Sequence, residues 1–217
     1  MEEYLDKIFK EYDDRLLLKL GDYNLLANPH NCIETSTAVG FIMEEFIVSK
    51  LEKYTETHDG INEIKIQRVY DRSTANSSYD CYTVYDGVFV MINIKVQKMG
   101  KGANNAIAAI NILHKDYVSD NLMPEKAYMV FKTLYNFGSP SEKSERQILV
   151  NGTNCYYIEE LDFSTGHKQD HRNWSMNFKL SSDRLIVAES WRKDHLLNEN
   201  DISYLRTKKY IENMIKI

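Results

Sequence analysis

The chain has 217 residues, 43% of them hydrophobic and 27% charged, with a formal net charge of −5; this suits one domain with a proper core or two small ones. No apolar run nears the roughly 18 residues of a membrane span, and the acidic start Met-Glu-Glu-Tyr lacks a secretory leader pattern, so no membrane partner is expected. Three isolated cysteines, Cys32, Cys81 and Cys155, form neither an even disulfide set nor a Cys-x-x-Cys pair, which points to a reduced, cytoplasmic setting.

In chain order, residues 4–20 predict a first helix, with Leu5, Ile8, Phe9, Tyr12, Leu16 and Leu20 near helical spacing. Residues 27–35, with Asn-Pro-His-Asn, read as a loop. A Ser36/Thr37 cap opens a second helix to about Tyr54, with Val39, Ile42, Met43, Phe46, Ile47, Leu51 and Tyr54 on one stripe. Asp59-Gly60 turns the chain into a strand over residues 61–70, and 72–78 is a polar loop. A hairpin follows over 79–97. Gly100-Lys-Gly102 ends it, and residues 103–117 predict a helix with Ala106, Ile110, Leu113 and Tyr117 on one face. After Pro124, residues 127–135 predict a buried strand.

Beyond that point, Asn151-Gly152 between 147–150 and 154–160 predicts a second hairpin. Residues 164–174 form a polar loop, 178–180 and 185–188 are short strands, and Asp201 caps a final helix to Lys216. No internal repeat, low-complexity tract or long flexible linker interrupts the chain, so residues 1–217 are read as a single domain. Charge is uneven: residues 1–56 carry six Lys/Arg against twelve Asp/Glu, and residues 164–193 carry six against three. The net charge is therefore compatible with a phosphate-binding cleft.

The first hairpin carries the chemistry. Asp86-Gly87 between two β-rich runs signals a type I′ turn, whose central residues both need φ > 0. Counting outward pairs Tyr85 with Val88, Thr83 with Val90 and Asp80 with Asn93. Alternation then puts Asp80, Asn93 and Lys95 on one side. A carboxylate, an amide and an ammonium converge at the open end, with Gln97 beyond them on the same face. The competing reading is a surface hairpin with solvated Asp80 and Lys95.

The order helix, strand, strand, strand, helix, strand over about residues 37–135, with Asp80 on the second strand and Asn93-Ile-Lys95 on the third, resembles the core of the PD-(D/E)xK nucleases. Within that superfamily it looks most like the type II restriction endonucleases. The resemblance implies an α/β fold, a mixed central sheet flanked by helices with an αβββαβ core. Residues 136–217 would then add DNA contacts and C-terminal helical elements. Asp80 falls on the family's metal-binding aspartate and Lys95 on its catalytic lysine. Asn93 replaces the usual acidic residue, and Tyr79 stands where a proline is usual. The stretch Gly40-Phe-Ile-Met-Glu44-Glu45 looks like the first core helix, which often sends a glutamate to the metal; here Glu44 and Glu45 compete.

The implied cofactor is Mg2+, held by Asp80, the Asn93 side-chain oxygen, the Ile94 carbonyl and Glu44 or Glu45. The metal would neutralise charge on the phosphate and generate hydroxide, with Lys95 orienting the water. An amide in place of a carboxylate forfeits about 4 kcal/mol of attraction at ~4 Å and an effective dielectric of ~20. Such a site would catalyse Mg-dependent hydrolysis of double-stranded DNA at a short palindromic sequence, by a homodimer whose symmetry matches the DNA.

DNA contacts are expected from the polar loop. Lys168 and Arg172 suit phosphate or guanine, while Gln169 and Asn173 suit adenine. His167 shares that loop, and its spacing to His171 fits a zinc pair only on a helix, which this Gly-containing stretch does not predict. Lys98 and Lys101 are placed for phosphates. Two alternatives stay open: a catalytically silent DNA-binding protein of the same fold, and a repair or structure-specific nuclease. A plain protein-interaction module is a further competitor.

Overall fold

A computed structural model describes residues 5, 18–19, 36–57, 64–70, 77–100, 104–118, 125–138, 147–164 and 184–215. The fold is mixed α/β. One sheet has strand order β1-β7-β6-β4-β3-β2, and a second pairs β5 with β8. The strands of the first sheet are β1 (Leu18–Lys19), β2 (Gln67–Arg68), β3 (Cys81–Tyr85), β4 (Val88–Lys98), β6 (Glu125–Gly138) and β7 (Gln147–Tyr157). Those of the second are β5 (Asn104–Ala109) and β8 (Arg184–Ala188). The helices are α1 (Ser36–Thr57), α2 (Ile110–Val118), α3 (Glu189–Asp194) and α4 (Tyr204–Ile215). No helix among the described residues is long and apolar enough to cross a membrane.

The chain divides into two compact units that interleave along the sequence. The first comprises Met1–Ile61, Ile94–Lys101 and Phe131–Cys155, and the second Asn62–Asn93, Gly102–Val130 and Tyr156–Ile217. In the first unit, α1 forms where the stripe predicts it. Val39, Met43, Ile47 and Leu51, four residues apart, are buried along one face. The helix runs a turn past Tyr54, where the hydroxyls of Thr55 and Thr57 donate to the carbonyls of Glu52 and Lys53. Phe131, Tyr135, Ile148 and Val150 are buried in the same unit.

Residue Leu5 is helical, but Leu18 and Lys19 are not part of a helix. They form β1, with Leu18 opposite Ile148 and Lys19 opposite Gln147. Leucine and lysine suit an extended run as well as a helical stripe, and for Leu18 and Lys19 pairing with β7 decides it. The second predicted hairpin is also overturned. β7 passes straight through Asn151-Gly152, and of the two only Gly152 has a positive φ, 152°. A type I′ turn needs both. β7 lies between β1 and β6 in the sheet.

In the second unit, residues 103–117 do not form one helix. Asn104–Ala109 is a strand antiparallel to β8, with a bulge between Ala106 and Ala108, and only Ile110–Val118 is helical. Alanine's helix preference is worth a few tenths of a kcal/mol per residue, less than a ladder of hydrogen bonds to β8. Ile110, Leu113 and Tyr117 are buried as their spacing predicts. α3 was not anticipated, and α4 begins at Tyr204, after a 3₁₀ turn at Glu199–Asp201, rather than at Asp201. Phe163 stacks on Tyr210 at 4.3 Å and on Trp191 at 5.6 Å, and Trp191 stacks on His195 at 4.3 Å. The predicted strand at 178–180 lies outside the described residues.

Candidate active site

The first hairpin forms as its sequence dictates. Asp86 and Gly87 take φ of 50° and 76°, and Tyr85↔Val88, Thr83↔Val90 and Cys81↔Ile92 are paired. The described pairing stops there. One step beyond, the Asp80 N–H donates to the Ile92 carbonyl at 2.9 Å, while the Asp80 carbonyl accepts from Val69 N–H at 3.1 Å. The backbone of Asp80 is thus held on both sides, and its side chain is half-buried.

Asn93 interrupts a buried run, with Met91, Ile92 and Ile94 around it, and is itself only 4% exposed. Burying an amide demands partners. Its Nδ2 lies 2.8 Å from the Ser78 carbonyl, 2.6 Å from the Ile107 carbonyl and 2.8 Å from the Tyr128 hydroxyl. The Tyr128 hydroxyl, on β6, donates in turn to the Ser78 carbonyl. Ser78 is anchored from α2, its N–H donating to Asp116 Oδ2 at 2.6 Å. Asn93 Oδ1, by contrast, is buried with no hydrogen-bond donor among the described residues.

Tyr128 is hydrogen-bonded to Asn93 and lies within the field of Asp80. Burial pushes the Tyr128 phenol above its ordinary range; the charges of Asp80 and Asp116 push it further, while the bonds with Asn93 and Ser78 pull it down. The adjacent Tyr79 is pushed up to about 12, first by burial and then by Asp116 and Tyr82. A fully protonated Tyr128 serves as donor to Ser78. Sequence reading missed Ser78, Asp116 and Tyr128. Asp116 was visible as an acid on the face of the helix that follows the hairpin, but Tyr128 was indistinguishable from a core aromatic.

The remaining expected residues belong to the first unit or lie beyond description. Ile94 is buried and Lys95 half-buried on the next turn of β4's pleat. Glu44 and Glu45 are half-buried on α1. Lys98 sits with its ammonium 4.9 Å from the Phe137 ring centroid, a cation–π contact. Lys101, His167, Lys168, Gln169, Arg172 and Asn173 lie outside the described residues. Among the described residues, no three His, Cys, Asp or Glu side chains gather as a metal-holding group.

No protein-family model matches this chain, and no curated protein is significantly similar to it.

The donors present are of a particular kind. A half-buried carboxylate and a buried amide oxygen that lacks a donor fit a hard, oxygen-seeking cation such as Mg2+, which keeps several of its waters. A second buried acid is tied to the same tyrosine. Glu159, 4% exposed, accepts from Tyr117 Oη at 2.6 Å and from the Tyr128 N–H at 3.0 Å. Burial pushes its carboxyl up to about 7 against these hydrogen bonds. Glu159 lies in a 3₁₀ turn, Ile158–Glu160, within the run 154–160 that the sequence predicts as a hairpin strand.

Proposed function

We propose that this protein is a Mg-dependent endodeoxyribonuclease of the PD-(D/E)xK kind, acting like a type II restriction endonuclease as a homodimer on a short palindromic site. The observation that carries the reading is the pair at the open end of the hairpin: Asp80, and Asn93 with a buried oxygen that lacks a donor. The order α1, β2, β3, β4, α2, β6, with β2, β3, β4 and β6 as successive neighbours in one sheet, supports it. It is the order expected of the αβββαβ core, with β5 added between the third strand and the second helix.

In this reading Asp80 anchors the metal and Asn93 Oδ1 supplies a neutral oxygen. Mg2+ supplies charge neutralisation at the phosphate and an activated water. Lys95 orients that water for in-line attack and stabilises charge on the phosphorane-like transition state. The 164–174 loop, Lys98 and Lys101 contact the duplex.

The test is digestion of a mixed plasmid and phage DNA panel by the purified protein, with Mg2+ and with EDTA. Discrete Mg-dependent bands are expected, and Asp80→Ala or Lys95→Ala is expected to lower cleavage by at least about 100-fold, the scale of one lost charge-stabilising group, with duplex binding retained. Full cleavage by either variant rules out the assigned residues. A second reading is a silent DNA-binding protein of the same fold. It predicts binding without hydrolysis under every divalent metal. Structure-dependent nicking in place of site-specific cuts would instead favour the repair alternative.

A further inference from the structure

The Asn93 amide has only one orientation open to it. Its two Nδ2 protons serve three oxygens, two of them carbonyls, those of Ser78 and Ile107, which can only accept. Rotating the amide by 180° would set Oδ1 against both carbonyls with no proton between. The third partner, the Tyr128 hydroxyl, accepts from Nδ2 and has its own proton directed at Ser78. Nitrogen therefore faces the protein, and oxygen is left as the group without a donor.

We propose that Tyr128 is the positioning residue of this site: with the Ser78 and Ile107 carbonyls it clamps the Asn93 amide so that Oδ1 is presented to a divalent cation. An amide, not a carboxylate, is then what the surroundings require at position 93, because a second oxygen would be directed at two carbonyls. Asn93 is a fitted ligand and not a damaged acid. This rests on the nuclease reading only in needing a cation at Asp80 and Asn93. The clamp resembles the outer partners that orient metal ligands, whose removal typically weakens metal binding about 10–100-fold.

The experiment is a titration of the full chain with Tb3+, read by tyrosine-sensitised luminescence and competed with Mg2+, on wild type, Tyr128→Phe and Asn93→Asp. Tyr128→Phe is expected to raise the Mg2+ concentration needed for competition by about 10-fold or more, with the circular dichroism spectrum unchanged. A merely structural role for Tyr128 would lower the melting temperature and leave that midpoint in place, overturning the proposal. Tighter binding or gained cleavage in Asn93→Asp would also overturn it. Should neither variant fold, the wild-type Asn93 side-chain amide carries the test by NMR: it is expected to exchange slowly and to shift on adding Mg2+. A fast-exchanging, Mg-insensitive pair refutes the clamp. Wild type that binds neither ion sinks the clamp and the metal site together, whereas binding without cleavage sinks only the nuclease reading.

Discussion

Asn93 Nδ2 faces three oxygens within 2.8 Å, so replacing the amide by Asp sets a carboxylate oxygen against the two carbonyls among them. Leaving buried polar groups unmatched typically costs about 1–3 kcal/mol, and Asn93→Asp is expected to lose that much in urea unfolding at pH 7. The loss should shrink in acid, where the new carboxyl can protonate and donate. Glu159 gives a second prediction. Its folded pKa of about 7 lies above the ordinary carboxylate value, so the folded state holds a proton that the unfolded chain releases. Its contribution is fully present below the unfolded pKa and is lost as pH rises through about 7, a change on the order of 1–3 kcal/mol. Glu159→Gln, which mimics the protonated acid, should remove most of the stability difference between pH 5 and pH 8, measured by urea midpoints. An unchanged difference would show that another group titrates there.

At the scale of elements, two glycines with open space around them should respond oppositely. Gly40 lies inside α1, with nothing within 4 Å of a Cβ built on it. Gly40→Ala is expected to stabilise by about 0.5–1 kcal/mol, the difference in helix propensity. Gly152 also has room, but its φ of 152° is one that L residues rarely adopt, so Gly152→Ala should destabilise by about 1–3 kcal/mol. Melting curves of the two variants check both signs. The same elements mark what the sequence could disclose. The α1 stripe and the Asp86-Gly87 turn were legible because their signals are local: helical spacing in one, paired positive φ in the other. Asn104–Ala109 and Leu18–Lys19 were misread as helix because partners far along the chain, β8 and β7, determine them. Asn151-Gly152 had the turn residues but not the turn, and the chain continues through both as β7. At the candidate site, the pairs from Tyr85↔Val88 to Cys81↔Ile92 could be placed from the hairpin count. Ser78, Asp116 and Tyr128 could not, because only the packing of α2 and β6 brings them there.

For the whole molecule, the expected mode of binding sets the salt dependence. The chain carries a net −5, so duplex affinity has to come from local clusters of Lys and Arg that displace counterions. With about six phosphate contacts, affinity measured in Ca2+ should fall about 10³-fold between 50 and 200 mM salt. Binding indifferent to salt would argue against a backbone-tracking cleft. Sedimentation should give twice the chain mass if the palindrome is matched by a two-fold dimer; a monomer at all concentrations would contradict it.

The β5–β8 pair has a consequence for how the protein is made. About 75 residues separate Ala109 from Arg184, so a ribosome adding roughly 5–20 residues per second exposes β5 for some 4–15 s before its partner is synthesised. During that interval Asn104–Ala109 presents an unpaired edge, a template for other nascent chains. Fragments ending before residue 184 keep that edge permanently and should collect in the insoluble fraction on expression, while the full-length chain, released with its own partner strand, buries it.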